Sequence, residues 1–437
     1  MILFEKIAII TSPYEPALTD AYLLVGDDGK IAYIGDTRPD CKPDRVISGA
    51  RKALMPGLIN AHTHLPMTVF RGFGEGCELH EWLNNYIFPA EDKLDARCVS
   101  ACTDLAIAEC VRFGTTSVTD MYMFEPTVAE RIDRGGMKAN LCRAITKFSS
   151  PSGFEWSGDK STEDTREVLE LFDSWHGHDN SRIVVDAGIH GEYTSEPYLW
   201  EKVAAFAKER NIRLHVHLSE TKSEHEECIG RWGMTPAEVL EKHGVFDIPA
   251  NCAHCVWTTP HDHEILAAHG ATAVHNPVSN MKLASGFAPV TAMKNAGVNV
   301  ALGTDGVSSN NSHDMFEEIK AAAIMHKAAN LDPSLVPAPD AFAMATINGA
   351  KAQGRENECG KLAVGFDADI TMLDLDAPHL YPMHSLLSNV VFAARGSDVC
   401  MTMVRGRTLY ENGEYKTVDV ERARHEIEHY AFPKIWG

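Results

Sequence analysis

Between residues 58 and 305 the chain repeats one pattern eight times: a short apolar run of strand character, then a stretch with helical spacing. The runs fall at 58–64, 115–122, 139–146, 183–190, 213–220, 251–257, 272–277 and 298–305. One intervening helix start is explicit at Thr235-Pro236-Ala237-Glu238, with a capping threonine, proline at the first helical position and glutamate at the third. Residues 201–210 carry apolar side chains at helical spacing, and Ala296-Gly297 is a stop signal. Repeated strand–helix units build a parallel sheet, and eight of them predict an α/β fold closed as a (β/α)8 TIM barrel. An open doubly wound sheet is the competing topology. No G-x-G-x-x-G follows the first strand and no Walker-type loop occurs, so nucleotide-phosphate binding has no support.

Both ends of the chain read differently. Residues 2–10, 21–25 and 30–34 are short strands, with a turn at Asp27-Asp28-Gly29. Residues 368–373 and 399–410 are strands again, with a turn at Asn412-Gly413. The expectation is one small β-sandwich domain from residues 1–56 and 362–437, and a barrel over 57–361. Forty basic residues stand against 61 acidic ones, a net charge of −21. Such a surface repels phosphate backbones and acidic membranes, which argues against nucleic acid and membrane as partners. Neither a secretory signal nor a continuous apolar span is present, and a cytoplasmic location is expected. The 11 cysteines are spread along the whole length, so buried reduced thiols are expected rather than a disulfide scaffold. Cys252-Ala-His-Cys255 has C-x-x-C spacing, but it lies in an apolar strand pattern with no second pair nearby.

In a barrel of this kind functional side chains gather at the C-terminal ends of the strands. Those ends carry His62 and His64, Asp120, Arg143, His190, His217 with Glu220, His254, His275 and Asp305. His62 and His64 are two apart on one strand and share a face. With His217 and Asp305 they make three nitrogens and one oxygen, a set that suits a catalytic zinc, iron(II) or manganese ion. Such an ion lowers the pKa of a water molecule. Glu220, three residues beyond His217, is placed to move a proton between water and substrate. His254 is either a further nitrogen ligand or a hydrogen-bonding partner of the water; Asp305 holds the metal or takes the water's proton. The fourth strand has no lysine to bridge a second ion, so one metal is expected.

Taken together, these residues resemble the amidohydrolase superfamily. The resemblance covers Pro56-Gly57-Leu58-Ile59-Asn60-Ala61-His62-Thr63-His64, His217, His254, Asp305 and Gly365-Phe366-Asp367-Ala368-Asp369. Within it the chain looks like the 5′-methylthioadenosine/S-adenosylhomocysteine deaminases. The pointers are His64-Leu65-Pro66-Met67-Thr68, Glu81-Trp82-Leu83, Pro89-Ala90-Glu91-Asp92, His275-Asn276-Pro277 with Ser279-Asn280, and Gly303-Thr304-Asp305-Gly306 with Ser309-Asn310. The resemblance implies hydrolysis of the adenine 6-amino group of a nucleoside to the inosine analogue and ammonia. It implies one Zn2+ per subunit (Fe2+ or Mn2+ as substitutes) on His62, His64, His217 and Asp305, with Glu220, His254 and Asp305 catalytic. It places Trp82, Glu91, Arg143, His190 and Glu220 against the nucleoside, and it implies a homo-oligomer.

There is one departure. Members that bind the homocysteine moiety use two arginines for its carboxylate; Arg143 matches the first, and the second has no counterpart squarely in place near 163–166. Lys160 or Arg166 is the candidate substitute, and S-adenosylhomocysteine is expected to be a poorer substrate than 5′-methylthioadenosine or adenosine. The rival readings are another deaminase or cyclic-amide hydrolase of the superfamily (guanine, pterin or triazine) and, from a different class, a non-catalytic scaffold. The complete ligand set argues against the scaffold.

Overall fold

The computed structural model describes residues 1–148 and 154–437. Strands β1 (Ile2–Ile9), β2 (Leu18–Val25), β3 (Ile31–Gly35), β4 (Arg45–Ser48) and β5 (Lys52–Pro56) come first. β6 (Leu58–Thr63), β7 (Thr115–Tyr122), β8 (Lys138–Arg143) and β9 (Ile183–Val185) form a four-stranded parallel sheet. β10 (Ala187–Gly191), β11 (Leu214–Leu218), β12 (Ala250–His254), β13 (Thr272–His275) and β14 (Asn299–Leu302) form a five-stranded parallel sheet. β15 (Ile370–Asp374), β16 (Val399–Val404), β17 (Arg407–Glu411) and β18 (Glu414–Tyr415) join β1–β5 in one nine-stranded sheet. The chain is therefore an α/β protein with its two ends in a common sheet.

The stitch between the ends is β15, which runs antiparallel to β5 from Ile370 opposite Pro56 to Asp374 opposite Lys52. Phe4, Ile7, Leu23, Ile31, Ile370 and Met401 pack as one apolar cluster of this sheet. The sheet is tied to β8 by ion pairs: the fully buried Lys138 Nζ lies 2.7 Å from Asp367 Oδ2 and 2.7 Å from Asp369 Oδ2. Arg405 Nε donates to the same Asp367 at 2.9 Å, and Lys30 Nζ at 3.1 Å.

Two expectations need correction. The fourth apolar run, 183–190, is not one strand. It is interrupted at Asp186, whose buried carboxylate accepts from Asn140 Nδ2 at 2.9 Å; β9 pairs with β8, and β10 pairs with β11 while Ile189 still bridges Ile145 just beyond β8. The run 399–410 is likewise two strands. Arg405 and Gly406 both have positive φ, 47° and 74°, the signature of a tight hairpin that turns β16 back into β17. The other expected features stand: Thr235 caps helix Pro236–Lys242 with a full capping box, and residues 201–210 lie in helix Pro197–Arg210. All 11 cysteines are free, nine of them buried, and the Cys255 thiol donates to Cys252 O. Among the described residues no helix is long and apolar enough to cross a membrane.

Candidate active site

The strand ends converge as the alternation predicts. His62 sits in β6 and His64 just beyond it; His217 sits in β11, His254 ends β12, and Asp305 follows β14. The Asp305 N–H donates to His62 O at 3.0 Å, which brings the last parallel strand against the first. The backbone leaves β11, β12 and β14 through left-handed residues that are not glycine: Ser219 at φ 48°, His254 at 73° and Asp305 at 63°. Such conformations cost on the order of 1–3 kcal/mol each and concentrate at functional sites.

Ligand atoms of His62, His217 and His254 lie within 4.8 Å of one another, and so do those of His62, His64 and Asp305. Each imidazole is steadied on its far nitrogen. His64 Nδ1–H donates to Met121 O, and His217 Nδ1–H donates to His190 O. His254 Nδ1 meets Asn280 Oδ1 at 2.8 Å, and His62 Nδ1 meets His215 Nε2 at 2.8 Å. A carbonyl only accepts, so the Nε2 lone pairs of His64 and His217 are left for the centre of the cluster. His62 Nε2 is fully buried and has no hydrogen-bond partner. A buried nitrogen without a partner is costly, and a divalent cation satisfies it. The residues present therefore fit a metal ion.

The electrostatics of His62, His217 and Asp305 agree, whereas burial lowers His64 but Asp305 outweighs it and raises it to about 9. Burial, with like-charged histidines beside it, holds His217 far below its ordinary value, and burial holds His62 down at about 3, so both offer neutral nitrogens. Burial alone would raise Asp305, but His62 and His64 outweigh it and keep the carboxylate ionised. Ser279 and Ser309 hydroxyls each donate to Asp305 Oδ2 at 2.7 Å, and Gly306 N–H donates to Oδ1 at 2.8 Å. Glu220 behaves oppositely. Burial first, then the charge of Asp305, pushes its carboxyl well above the usual range. Its Oε2 is 3.7 Å from His254 Nε2. Glu224 anchors the turn beneath, accepting the N–H groups of Ser219 at 3.0 Å and Glu220 at 2.7 Å.

Above this floor lies a cavity of about 1210 Å³. His64, His217, Glu220, His254 and Asp305 form its base; Trp82, Glu91, Arg143 and His190 line its wall. Trp82 and Glu91 flank a π-helical turn, Leu83–Ile87, a feature frequent at functional sites. Trp82 Nε1 donates to Phe73 O at 3.3 Å, and Tyr122 OH donates to Glu91 Oε1 at 2.5 Å. His190 is the extra residue of a bulge between Ile189 and Gly191, which re-aims its side chain. Burial, then the charges of His64 and Arg143, lower it to about 4. Arg143 is present but engaged: Nε donates to Glu167 at 2.9 Å, Nη2 to Asp164 at 2.7 Å and Nη1 to Ala144 O. Arg166 lines the cavity, whereas Lys160 is not among the lining residues.

The C-terminal helix braces this wall. The Trp436 ring packs edge-on against Phe73 at 5.4 Å and Phe70 at 6.0 Å. Lys93 Nζ donates to Ile435 O, and Asp95 accepts from Tyr430 OH at 2.6 Å.

The amidohydrolase family profile matches residues 53–409. The chain belongs to the amidohydrolase family. It is 42% identical over 427 residues to a 5-methylthioadenosine/S-adenosylhomocysteine deaminase of Thermoanaerobacter pseudethanolicus, covering 98% of this chain and 97% of the relative. It is 38% identical to a 5′-deoxyadenosine deaminase of Methanosarcina barkeri, over 93% of this chain and 91% of that one. Among solved structures, a zinc-bound adenosine deaminase of Xanthomonas campestris superposes with a TM-score of 0.92 at 31% identity, covering 99% of this chain and 98% of that one.

Several supporting residues were missed from sequence. His215 forms a second H-x-H with His217 on β11, and that spacing was its signal. Asn280, Ser279 and Ser309 sit in the quoted motifs without a role assigned. Tyr122 gave no sign, since its partner Glu91 lies on a distant segment.

Proposed function

We propose that this member of the amidohydrolase family removes the 6-amino group of adenosine-type nucleosides by hydrolysis, with 5′-methylthioadenosine, S-adenosylhomocysteine, adenosine and 5′-deoxyadenosine as the candidate substrates. His62, His64, His217 and Asp305 would hold one zinc ion per subunit. Bound there, the ion supplies a Lewis acid that acidifies water near neutral pH. The observation that carries the reading is the buried Glu220 carboxyl 3.7 Å from His254 Nε2 and beside the histidine–aspartate cluster, at the base of a cavity large enough for a nucleoside.

Glu220 gives its proton to adenine N1 as C6 becomes tetrahedral. It then relays one proton of the attacking water to the amino nitrogen, the C6–N6 bond breaks and ammonia leaves, and Glu220 takes back the water's second proton as C6 becomes a carbonyl. His254, fixed by Asn280, accepts a hydrogen bond from the attacking water and orients it on C6. Neutral His190 contacts the purine. Glu91, with one oxygen taken by Tyr122, offers the other to the ribose hydroxyls. Trp82 lies along the nucleoside.

The same reading includes the fine architecture: the two parallel sheets as one eight-stranded barrel over 57–361, and the nine-stranded sheet as a β-sandwich over 1–56 and 362–437. Its support is the parallel bridge from Ile145 to Ile189 and the Asp305 N–H to His62 O bond, which join the sheets at both margins.

The test is turnover of 5′-methylthioadenosine by the zinc-loaded protein, followed by ultraviolet absorbance. Glu220→Gln should lower kcat by about 10²–10⁴-fold with metal retained. No turnover with metal bound would remove the nucleoside reading and turn the search to free bases, pterins and triazines.

A further inference from the structure

Resting on the reading above for the roles of Asp305 and His254, we infer that Glu318 is a positioning residue of the site: its one carboxyl holds together the two segments that steady those side chains.

The short helix Pro277–Lys282 carries two of the steadying groups. Ser279 Oγ donates to Asp305 Oδ2 at 2.7 Å, and Asn280 Oδ1 meets His254 Nδ1 at 2.8 Å. A helix of six residues is too short to be stable alone, and its first-turn N–H groups have no partner inside it. Asn276, at the N-cap, does not supply one from its side chain; its Nδ2 lies 3.4 Å from His254 Nδ1. The acceptor comes from 40 residues further on, where Val278 N–H donates to Glu318 Oε2 at 3.2 Å.

The other oxygen serves the loop after β14. Glu318 Oε1 accepts from Asn310 Nδ2 at 2.6 Å, and the same amide nitrogen donates to Thr304 O at 2.7 Å. These bonds fix the chain on both sides of Asp305. They also set Ser309, whose hydroxyl is the second donor to Asp305 Oδ2. Glu318 belongs to helix Met315–Asn330, has no exposed surface and is not among the described residues that line the cavity. It therefore acts on the site from behind. Burial first, then the charges of Glu317 and Asp305, pushes its carboxyl well up against the opposing pull of Val278 and Asn310. Both oxygens accept hydrogen bonds whether or not the carboxyl is ionised, so the bracing does not depend on its charge. An amide in its place differs. The nitrogen of glutamine only donates, and it would face either the Val278 N–H or the Asn310 amide.

The test is Glu318→Gln in the full chain. Zinc affinity is read by competition with a chelator, and kcat and KM for 5′-methylthioadenosine are read at saturating zinc. Zinc affinity, through Asp305, and kcat, through His254, should each fall about tenfold with KM unchanged. A residue that only supports the fold would lower the thermal midpoint and leave both in place. Because part of the effect on zinc passes through Ser309, Glu318→Gln should cost less zinc affinity in a Ser309→Ala background than in the parent. If Glu318→Gln fails to fold, Asn310→Ala, which cuts only the loop arm, takes its place and should lower zinc affinity several-fold. Loss of zinc affinity without loss of kcat, the reverse, losses that simply add in the double variant, or parent-level zinc affinity in Asn310→Ala overturns the inference. If the parent turns over no nucleoside, the deaminase reading falls, and the zinc measurements still decide the role of Glu318.

Discussion

The floor and the wall of the cavity are built by different means. On the floor each side chain is steadied by a group on a parallel strand or in the segment that follows one: His62 by His215, His64 by Met121 O, His217 by His190 O, His254 by Asn280 of helix Pro277–Lys282, and Asp305 by Ser279 of the same helix and by Ser309. Strand register and the short segments that follow β13 and β14 bring those partners together. The wall draws on helices packed around the strand ends. Glu91 leans on Tyr122, Arg143 on a helix beginning twenty residues later at Glu163, and Phe73 on Trp436. The floor is suited to fixing a reaction, and the wall to varying what is admitted.

This contrast can be broken experimentally. The largest effect after Glu220→Gln belongs to the floor. His215→Phe removes the partner of His62 Nδ1 and should cost about 10–100-fold in metal affinity or kcat, read by metal titration and kinetics. A variant as active and as metal-tight as the parent would mean that His62 needs no second support. Next comes the inner wall. Tyr122→Phe deletes one hydrogen bond to a buried carboxylate and should raise KM for ribonucleosides by about tenfold. A 2′,3′-dideoxynucleoside should show almost none of that change; an equal loss for both sugars would detach Tyr122 from ribose binding.

The outer wall should matter less. Trp436→Ala should raise KM a few-fold with kcat and metal content retained, and Trp436→Phe should restore it. Loss of metal instead would show that floor and wall are not separable. The smallest effect at neutral pH should come from outside both regions. Asp367 has an ordinary pKa of 3.8; burial raises it, but Lys138, Lys30 and Arg405 outweigh burial and lower it to about 2. A depressed carboxylate stabilises the fold above its unfolded pKa and loses that contribution as pH falls through the folded one. Asp367→Asn should therefore lower the thermal midpoint at pH 7, and its gap from the parent should narrow between about pH 4 and pH 2. A constant gap would mean that the ion cluster does not titrate as described.

The same contrast explains what the sequence made legible. His62, His64, His217, His254 and Asp305 could be found because period-two alternation puts functional groups at strand ends whatever the loops do. Strand partners were harder: nothing local at Asp186 says that the strand is interrupted there, because that depends on which neighbour is in reach. Arg405-Gly406 was a local turn signal inside a run of apolar strand residues, and the run masked it. Arg143 was located by position, but its chemistry depends on Asp164 and Glu167, and only the folded chain reveals that they close around it.

The bracing of the wall by the C-terminal helix also has a consequence in time. Lys93 meets Ile435 across 342 residues of sequence. At about 5–20 residues per second, a ribosome needs roughly 20 to 70 s to make the chain between them. Every floor ligand, through Asp305, emerges well before that interval ends. The growing chain thus carries His62, His64, His217 and Asp305 before the segment that braces the cavity wall exists.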